Sequence, residues 1–381
     1  MNYSNYLSIL NSGTYRQRIK VELLRPSDES PYGVVDTYLE NSSGSSLNIS
    51  WQNGVRRTCS IALINLSDSP YYIDPDSLYI NSKFKLHLGL EDGIGNIEWF
   101  ACGVFLMDDP QLTSQFSQSI LTLKGIDKFG AYSSIRGELD GTYQIPLNTD
   151  ISVSIKSILT DLVNDPKAPI IDVSLVGKTN PYTIVKEIGS KIGDVLLELS
   201  SINSNNIYYN TEGQLVIEPD FDFSTQSSQF DFTTEQFQYL GNTTLTYKFS
   251  ELYNSVLVIS SNTNDITYSY RAQNNNLLSP VSIPNLGFER CFVYRTDILN
   301  SVVQCMDLAN YILLRKTIMQ SEISFSSIPL YHLSVGDVIT LTDSNLKLNK
   351  KRYIISSISL PLQVGSQMTI NCVETQELIL N

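Results

Sequence analysis

The first third of the chain alternates hydrophobic and polar residues with a period of two. Four segments carry this pattern, with the hydrophobic members Ile19, Val21 and Leu23; Leu47, Ile49 and Trp51; Cys59, Ile61 and Leu63; and Phe84, Leu86, Leu88 and Leu90. Successive side chains of a strand point to opposite faces, so each segment is predicted to form a half-buried antiparallel strand, with Lys85 and His87 on the solvent side of the fourth. Short strands at this spacing are typical of a barrel or a sandwich.

The middle of the chain changes to a helical period. Hydrophobic residues recur at intervals of three and four in two stripes: Ile155, Ile158, Leu159 and Leu162, then Val195, Leu196, Leu199 and Ile202. Each stripe predicts a short amphipathic helix. A β-hairpin is predicted next, because apolar strands over 207–210 and 214–218 flank a turn whose Gly213 suits a positive φ angle. These elements predict a small α+β unit.

Strands return in the last third, interrupted by the longest predicted helix. We interpret 220–241, which is rich in Ser, Thr, Gln and Phe, as a linker or as loosely paired strands. A helix from Asp297 to Lys316 is predicted from the apolar stripe Val302, Cys305, Met306, Ala309 and Leu313.

These patterns together predict a mainly β, β-rich α+β protein. Its first and last thirds would be dominated by strands, with the α+β unit between them. The predicted divisions are 1–140 for the N-terminal barrel, 141–235 for the insertion with its hairpin and linker, and 236–381 for the C-terminal barrel with the long helix.

Composition and charge narrow the functional class. The 381 residues include 26 basic and 39 acidic ones, a formal net charge of −13, so no general affinity for nucleic-acid phosphates is expected. Charged residues are 17% of the chain, against about 25% in average soluble domains. No signal-peptide pattern begins the sequence, and no window approaches the roughly 18 apolar residues of a membrane-spanning helix. The cysteines are predicted to be free thiols in a reducing compartment: Cys59, Cys102, Cys291, Cys305 and Cys372.

Residues able to do chemistry are few. His87 and His332 are the two histidines, too few for the imidazole clusters of nucleophile triads and most zinc sites. After Gly89, the residues Gly93 and Gly95 form a lone G-x-G. This motif lacks the third glycine and the following helix of a dinucleotide-binding site. Three carboxylate pairs lack the spacing of a calcium loop and are interpreted as parts of solvated loops: Asp74 and Asp76, Asp108 and Asp109, and Asp220 and Asp222.

We therefore predict that the chain has no catalytic, cofactor-binding or metal-binding residues and is not an enzyme. One alternative stays open at this point. A glycosidase needs only two carboxylates at a suitable separation, and sequence spacing does not give that separation.

Four groups of segments, taken in chain order, carry a resemblance to a known family. They are 51–66; 81–90 with 102–107; 193–199 with 207–217; and 333–341 with 353–361. In this order the chain resembles the tail hub, or baseplate hub, proteins of tailed bacteriophages, relatives of the late-control protein D family and of the hub portion of the type VI secretion spike VgrG. The four groups are similar to the opening strands, the strand pair closing the first domain, the helix and hairpin of the inserted domain, and the last barrel.

The resemblance implies two similar small β-barrel domains with an inserted α+β domain, and a long helix packed on the outside of the last barrel or at a subunit boundary. It also implies a structural virion protein without catalytic residues of its own. Three subunits, each with two barrels, would form a homotrimeric ring that adapts the sixfold tail tube to the threefold tail tip. The implied partners are the tail tube or distal tail protein, the tail spike, tip or tail-associated lysin, and the tape measure protein. DNA would pass through the lumen without specific binding, and an acidic wall would repel its phosphates. The implied location is the virion tail tip or baseplate, after assembly in the host bacterial cytoplasm.

A ring-forming hub protein and a carbohydrate-binding protein would expose different residues on their surfaces. A closed ring needs heterologous contacts between strand edges, and the low density of Lys and Glu across 255–259 and 356–360 is compatible with such edges. A carbohydrate-binding virion or surface protein, with a receptor-binding role, would suit the Tyr- and Asn-rich composition and would expose paired aromatic residues. A glycan-cleaving enzyme is the third choice. The helix-bearing insertion between two β blocks favours the hub.

The purified protein is predicted to have no peptidoglycan-, peptide- or glycan-cleaving activity, because the sequence contains no histidine cluster and no hydrolase motif. Incubation with labelled peptidoglycan should release no more soluble label than a buffer control. Release that disappears when one carboxylate pair is changed to amides would contradict this prediction.

Overall fold

The computed structural model describes residues 3–39, 44–65, 73–74, 82–115, 118–202, 205–219, 226–236, 238–261, 267–296, 299, 301–316 and 321–374. The strands are β1 Arg16–Leu24, β2 Pro31–Tyr38, β3 Ser46–Ser50, β4 Arg57–Ile64, β5 Lys83–Glu91, β6 Ile97–Gln115, β7 Gln118–Asp127, β8 Tyr143–Ile145, β9 Ile170–Ile171, β10 Ile184–Lys186, β11 Asn205–Tyr209, β12 Leu215–Pro219, β13 Phe230–Thr233, β14 Tyr239–Tyr247, β15 Ser255–Ser261, β16 Thr267–Gln273, β17 Cys291–Thr296, β18 Ser321–Ser327, β19 Val338–Asp343, β20 Leu348–Pro361 and β21 Met368–Glu374. The α-helices are α1 Tyr3–Asn11, α2 Phe129–Ser133, α3 Ile151–Ser157, α4 Ile192–Ser201, α5 Ile283–Leu286 and α6 Val302–Lys316.

A sheet of 13 strands dominates the molecule. Its hydrogen-bonded order is β14-β18-β21-β20-β3-β4-β7-β6-β5-β1-β2, with β19 also paired to β20 and β13 paired to β19. β20 joins the two ends of the chain, since Ile358 lies opposite Ile49 and Leu360 opposite Leu47 in antiparallel register. The β-rich class is confirmed. The first and last thirds, predicted as two barrels, are connected through one sheet, and the divisions at 140 and 235 stay predictions.

One hydrophobic cluster packs against this sheet and draws on both ends of the chain. It contains the predicted inward residues of β1, β3, β4 and β5, among them Val21 and Leu86, together with Phe325 and Ile355 from the last third. The period-two pattern is therefore confirmed for these four strands. Trp51, at the end of the second pattern, is only half-buried.

Strand β13 lies inside the segment interpreted as a linker or loosely paired strands. Phe230 lies opposite Ile339 and Phe232 opposite Leu341 in parallel register with β19. Phe232 is fully buried, and its ring centroid lies 4.8 Å from that of Phe325. Paired strands are thus the correct alternative from 230 onwards, while residues 220–225 lie outside the described residues.

The helical unit between the two β parts has its own core. α2, α3 and α4 pack with the β11–β12 hairpin around a cluster that begins at Phe129, within the range predicted for the N-terminal barrel. The hairpin is confirmed, with Gly213 at a φ of 77°. Helix α3, which corresponds to the first predicted helical stripe, ends at Ser157 and continues as a π-helix from Ile158 to Val163. Because a π-helix winds more widely than an α-helix, the predicted inward position Leu162 is 38% exposed.

The longest helix packs on a second, smaller sheet rather than on the last barrel. In that sheet β15 lies between β16 and β17. The cluster between α6 and the sheet consists of Val256, Val258, Ala272, Cys305, Ala309 and Leu313. The helix begins at Val302, which is half exposed although the stripe placed it inside. Residues 297, 298 and 300 lie outside the described residues.

The two predicted strand edges are wrong. Residues 255–259 belong to the central strand β15, which pairs with β16 on one side and β17 on the other. Residues 356–360 belong to β20, which pairs with β21 and β3. Low charge density at these positions reflects burial between two neighbouring strands, because interior strands need no charges to prevent further pairing.

Replacing Gly125 by alanine is predicted to destabilise the main sheet. A Cβ at this position of β7 would lie 2.7 Å from the Phe84 ring and 2.8 Å from Cys59 Sγ and Phe105 Cβ. Such overpacking lowers the free energy of unfolding by about 1–3 kcal/mol. Chemical denaturation measures the change. Gly141→Ala is the matched control, because its Cβ would meet nothing within 4 Å. Equal stability of the two variants would contradict this account of the core.

Candidate functional site: a cleft between the main sheet and the helical unit

A cleft of about 840 Å³ opens between the main sheet, the β11–β12 hairpin and residues 330–337. Its walls carry the aromatic side chains of Trp51, Trp99, Tyr208 and Tyr331 as well as charged groups. Because segments far apart in sequence meet at this cleft, the contacts that hold the hairpin against the sheet determine its shape.

Two adjacent arginines line the cleft where β4 begins. Arg56 precedes the strand, and Arg57 is its first residue. The backbone N–H groups of Arg56 and Arg57 donate to Asp127 Oδ2, at 2.6 and 3.0 Å, and Phe129 N–H donates to Asp127 Oδ1 at 3.1 Å. Burial raises the pKa of Asp127 to about 6. The carboxylate thus ties the end of β7 and the start of α2 to this turn, which orients both arginines.

The arginine side chains reach across to the hairpin. The guanidinium carbon of Arg56 lies 3.5 Å from the ring centroid of Tyr208, and Arg57 Nη1 donates to the backbone oxygen of Tyr209 at 2.6 Å. Burial lowers the pKa of Arg56 to about 10, and it also lowers the pKa of Arg57. Asn53 and Gly54 add two hydrogen bonds to the hairpin: Ile207 N–H donates to Asn53 Oδ1 at 3.0 Å, and Gly54 N–H donates to the Ile207 oxygen at 2.8 Å.

A buried ion network fixes the other side of the hairpin. The Glu29 carboxylate, whose side chain is fully buried, accepts from the ammonium groups of Lys83 and Lys128 at 2.7 Å each. Lys128 also contacts Asp165 at 2.7 Å, and Asp165 accepts from the Tyr209 hydroxyl at 2.7 Å. The alternating charges compensate one another in a region with little water.

The charge of Lys128 decides the ionisation of Asp165. Burial by itself would raise the pKa of the Asp165 carboxyl, but the Lys128 ammonium and the hydrogen bonds from Lys128 and Tyr209 outweigh burial and hold the pKa below its usual value. Asp165 therefore stays ionised within the network, as its role between Lys128 and Tyr209 requires.

Both histidines, His87 and His332, line the cleft. The side chain of His87, predicted to face solvent, is only 12% exposed, and its Nε2 lies 3.2 Å from Glu22 Oε2. Burial is the main cause that lowers the pKa of His87. Burial also lowers the pKa of His332 to about 4, and its ring lies 5.2 Å from that of Tyr6. Both imidazoles are therefore neutral near pH 7.

Of the three carboxylate pairs, the structure describes Asp108 and Asp109 completely and Asp74 of another pair. Asp108 lies opposite Lys124 in the β6–β7 register, and Asp109 has a positive φ of 42°. Asp74 is exposed, whereas Asp76, Asp220 and Asp222 lie outside the described residues. Within the described part of the chain, no group of three or more His, Cys, Asp or Glu residues is placed to hold a metal. All five cysteines are free thiols, and Cys291 is the half-buried one.

Sequence reasoning did not identify the residues that build the cleft. Arg56 and Arg57 follow an Asn-Gly turn and precede a strand in an acidic chain, which is a weak signal for a shared role. Their partners Asp127 and Tyr208 are 70 and more residues away, so no local pattern connects them.

A second groove of about 750 Å³ lies where the two free edges of the main sheet approach each other. Tyr38 at the end of β2, Leu39 and Leu240 of β14 are among its lining residues. Among the described strands, β2 pairs only with β1, and β14 only with β18. β14 has no charged residue, and the one charge of β2, Asp36, is held by Arg18 at 2.6 Å. Such edges lack the charges that normally prevent pairing with another chain.

Solved structures share this fold. No protein-family model and no curated protein matches the sequence. The 43 kDa tail protein of prophage MuSo2 from Shewanella oneidensis superposes with a TM-score of 0.61 at 10% identity, over 93% of this chain and 98% of that one. A tail protein from Neisseria meningitidis gives 0.62 at 9% identity, over 93% and 96%. A chain of the Francisella PdpA–VgrG complex gives 0.58 at 10% identity, over 99% of this chain and 64% of that one.

The β-rich fold of this chain is therefore shared with phage tail proteins and with a chain of a PdpA–VgrG complex. At these identities the likeness concerns the fold. A search of the described helices found none with the length and apolar character required to cross a membrane.

Replacing Asp165 by asparagine is predicted to destabilise the protein at neutral pH. The change leaves Lys128 with one carboxylate fewer in a buried site, which costs about 3–5 kcal/mol when such a pair is broken. A carboxyl whose pKa is lowered by folding stabilises above its unfolded pKa, and the stabilisation is lost as the pH falls through the folded pKa. The difference between wild type and Asp165→Asn should therefore be large at pH 7 and small near pH 2.

Denaturant unfolding at both pH values tests this prediction, and Asp140→Asn, an exposed carboxylate before β8, is the control. Because Asp127 is present in all three proteins, its own titration cancels in the comparison. A difference that is the same at pH 7 and pH 2 would show that Asp165 does not act through its charge.

Proposed function

We propose that this chain is a structural hub protein of a tailed phage or a related injection particle, located at the tail tip or baseplate. The observation that carries the proposal is the likeness of fold over nearly the full length of two proteins described as tail proteins. A fold can host unrelated functions, so the proposal also depends on what the surface and charge of this chain can do.

The sheet supports a ring in which three subunits supply six similar β units. β3 and β20 join the two β parts of one chain, so each subunit would present two linked units to a sixfold tube and one helical unit to a threefold tip. The edge strands β2 and β14 lie at opposite ends of the strand order and belong to different thirds of the chain. β14 has no charged residue, and the one charge of β2, Asp36, is paired with Arg18. A contact from β2 of one copy to β14 of the next is heterologous, and a heterologous contact closes into a ring of three when each copy is rotated by one third of a turn from the one before.

The charge of the chain is compatible with a lumen that does not hold its cargo. With a net charge of −13, a wall of these subunits would repel DNA phosphates and let DNA and the tape measure protein pass. The partners in this proposal are the tail tube or distal tail protein above the ring and a spike, tip or tail-associated lysin below it. Synthesis and assembly would take place in the host bacterial cytoplasm.

The chain is proposed to have no catalytic role. Its two histidines are half-buried and neutral near pH 7, and Arg57 of the cleft binds the hairpin backbone. Any hydrolytic step at the tail tip would then belong to a partner.

One observation favours the carbohydrate-binding alternative. Tyr247 and Phe249 form an exposed stacked pair, with ring centroids 6.1 Å apart and planes 13° apart. The pair lies at the end of β14, so the ring proposal buries it in a subunit contact. Sugar binding to the isolated protein that is lost in Phe249→Ala would favour the alternative.

Three copies per tail are the expected result of quantitative mass spectrometry or symmetry-free reconstruction of intact particles. The isolated chain can remain monomeric at low concentration, because association depends on mass action. One or six copies would overturn the adapter ring.

A variant pair tests the proposed edge within the same particles. Val34→Lys places a charge on β2 and should strongly reduce incorporation, since charges on edge strands oppose pairing. Ile94→Lys, in a loop where Ile94 is 87% exposed, should be incorporated like wild type. Equal incorporation of both variants would exclude β2 as the subunit contact.

A further inference from the structure

The main sheet and the helical unit, residues 128–219, have separate hydrophobic cores. Among the described residues, one buried cluster contains Leu86 of the main sheet, and a second contains Phe129 of the helical unit. Val55, before β4, is partly buried and packs on the second cluster from the side of the main sheet. Units of one chain that have their own cores can move relative to each other unless the interface between them is large and hydrophobic.

Polar contacts join the two units at the hairpin. Gly54 N–H donates to the Ile207 oxygen at 2.8 Å, and Ile207 N–H donates to Asn53 Oδ1 at 3.0 Å. Lys85 Nζ lies 2.6 Å from Glu212 Oε2 at the hairpin turn. Because separated polar groups can bind water instead, such contacts oppose separation less than a shared hydrophobic core does.

Glu29, in the β1–β2 turn, connects the two units through one fully buried carboxylate. Its Oε1 lies 2.7 Å from Nζ of Lys83, in the main sheet, and 2.7 Å from Nζ of Lys128, in the helical unit. Lys167 of the helical unit approaches Oε2 at 3.6 Å. The hairpin turn packs against the same oxygen, since a Cβ added to Gly213 would lie 3.6 Å from it. One side chain thus holds β5, the start of α2 and the hairpin turn together.

The position of Glu29 is unfavourable in two respects. Its φ angle is 55°, in the left-handed region that residues other than glycine seldom adopt. Its Oε2 accepts no hydrogen bond from the described residues, although it is buried. Release of the carboxylate would relax the backbone and hydrate both oxygens, which offsets part of the lost ion pairing.

We propose that the helical unit is hinged on the main sheet at residues 127–129, and that Glu29 is the latch that holds it closed. Hinges are a few residues at the ends of elements, and the chain passes from β7 to α2 here. The Asp127 carboxylate accepts Arg57 N–H on one side and Phe129 N–H on the other, so it lies at the pivot. The hinge does not depend on the position of the chain in a particle.

Opening of this hinge would widen the cleft. Tyr208 and Glu212 line it from the hairpin, whereas Trp51 and Trp99 line it from the main sheet. Movement of the helical unit would separate these two walls, so the latch controls the access of solvent or of a partner to the cleft.

Native-state hydrogen exchange of the purified full-length protein tests the hinge. The N–H groups of Gly54 and Ile207 cross the boundary and become exposed when the helical unit opens. After correction for intrinsic rates, they should exchange at least about tenfold faster than the amides inside α4 and β4. Their rates should also depend less on urea, because opening exposes less surface than unfolding does. If the two boundary amides share the rate or the urea dependence of α4 and β4, the hinge is overturned.

A matched pair of variants tests the latch. Glu29→Gln keeps the size of the side chain and removes its charge, so the two boundary amides should exchange at least about tenfold faster than in wild type. Glu187→Gln removes one charge from an exposed position of the helical unit and should leave both rates unchanged. Unchanged rates in folded Glu29→Gln, or the same acceleration in Glu187→Gln, would reject Glu29 as the latch.

Lys167→Gln replaces Glu29→Gln if that variant does not fold. The Lys167 side chain is 30% exposed, so the change is less disruptive, and it removes one ammonium group from the surroundings of Glu29. The boundary amides should then exchange at least about twofold faster than in wild type. No acceleration in this variant would overturn the latch.

Discussion

The pairing of β20 with β3 is the contact on which the rest of the structure depends. It places Leu360 opposite Leu47 and Ile358 opposite Ile49, and a side-chain bond from Ser359 to Asn48 spans 311 positions of sequence. Without this pairing, β3 and β20 would each expose an apolar edge, and the hydrophobic cluster shared by the two thirds would be divided. The cleft also depends on it, because β3 and the segment 330–337 form two of its walls.

Buried ion pairs help to attach the helical unit to the main sheet, beside the hydrogen bonds from Gly54 and Arg57 to the hairpin. Lys128 lies between Glu29 of the β1–β2 turn and Asp165 of the helical unit, so three distant segments meet at one ammonium group. Buried ion pairs add little net stability, but they are sensitive to geometry and therefore specify one orientation. The position of the hairpin over Arg56 and Arg57 follows from that orientation.

Local patterns predict the strands and helices well where burial alternates along one element. Val21 and Leu86 are buried because the period of a strand places them on one face, and the sequence shows that period directly. Leu162 departs from its predicted burial because π-helical winding changes the angle per residue, which apolar spacing does not reveal. The face of α6 predicts that the helix packs, but it does not identify β15 and β16 as the partners. Local sequence patterns do not predict the contacts of Arg56, Arg57 and Lys128 for the same reason, because only the fold brings these residues together with their partners.

The span of 311 residues between Asn48 and Ser359 has a consequence for synthesis. A ribosome adding about 5–20 residues per second needs roughly 15–60 seconds to make that length, and during this time β3 has no partner on its β20 side. Long-range antiparallel pairing is also slow once the chain is complete. The emerging polypeptide therefore carries an open apolar strand through most of its translation, and during that interval the unpaired edge of β3 is accessible to other chains.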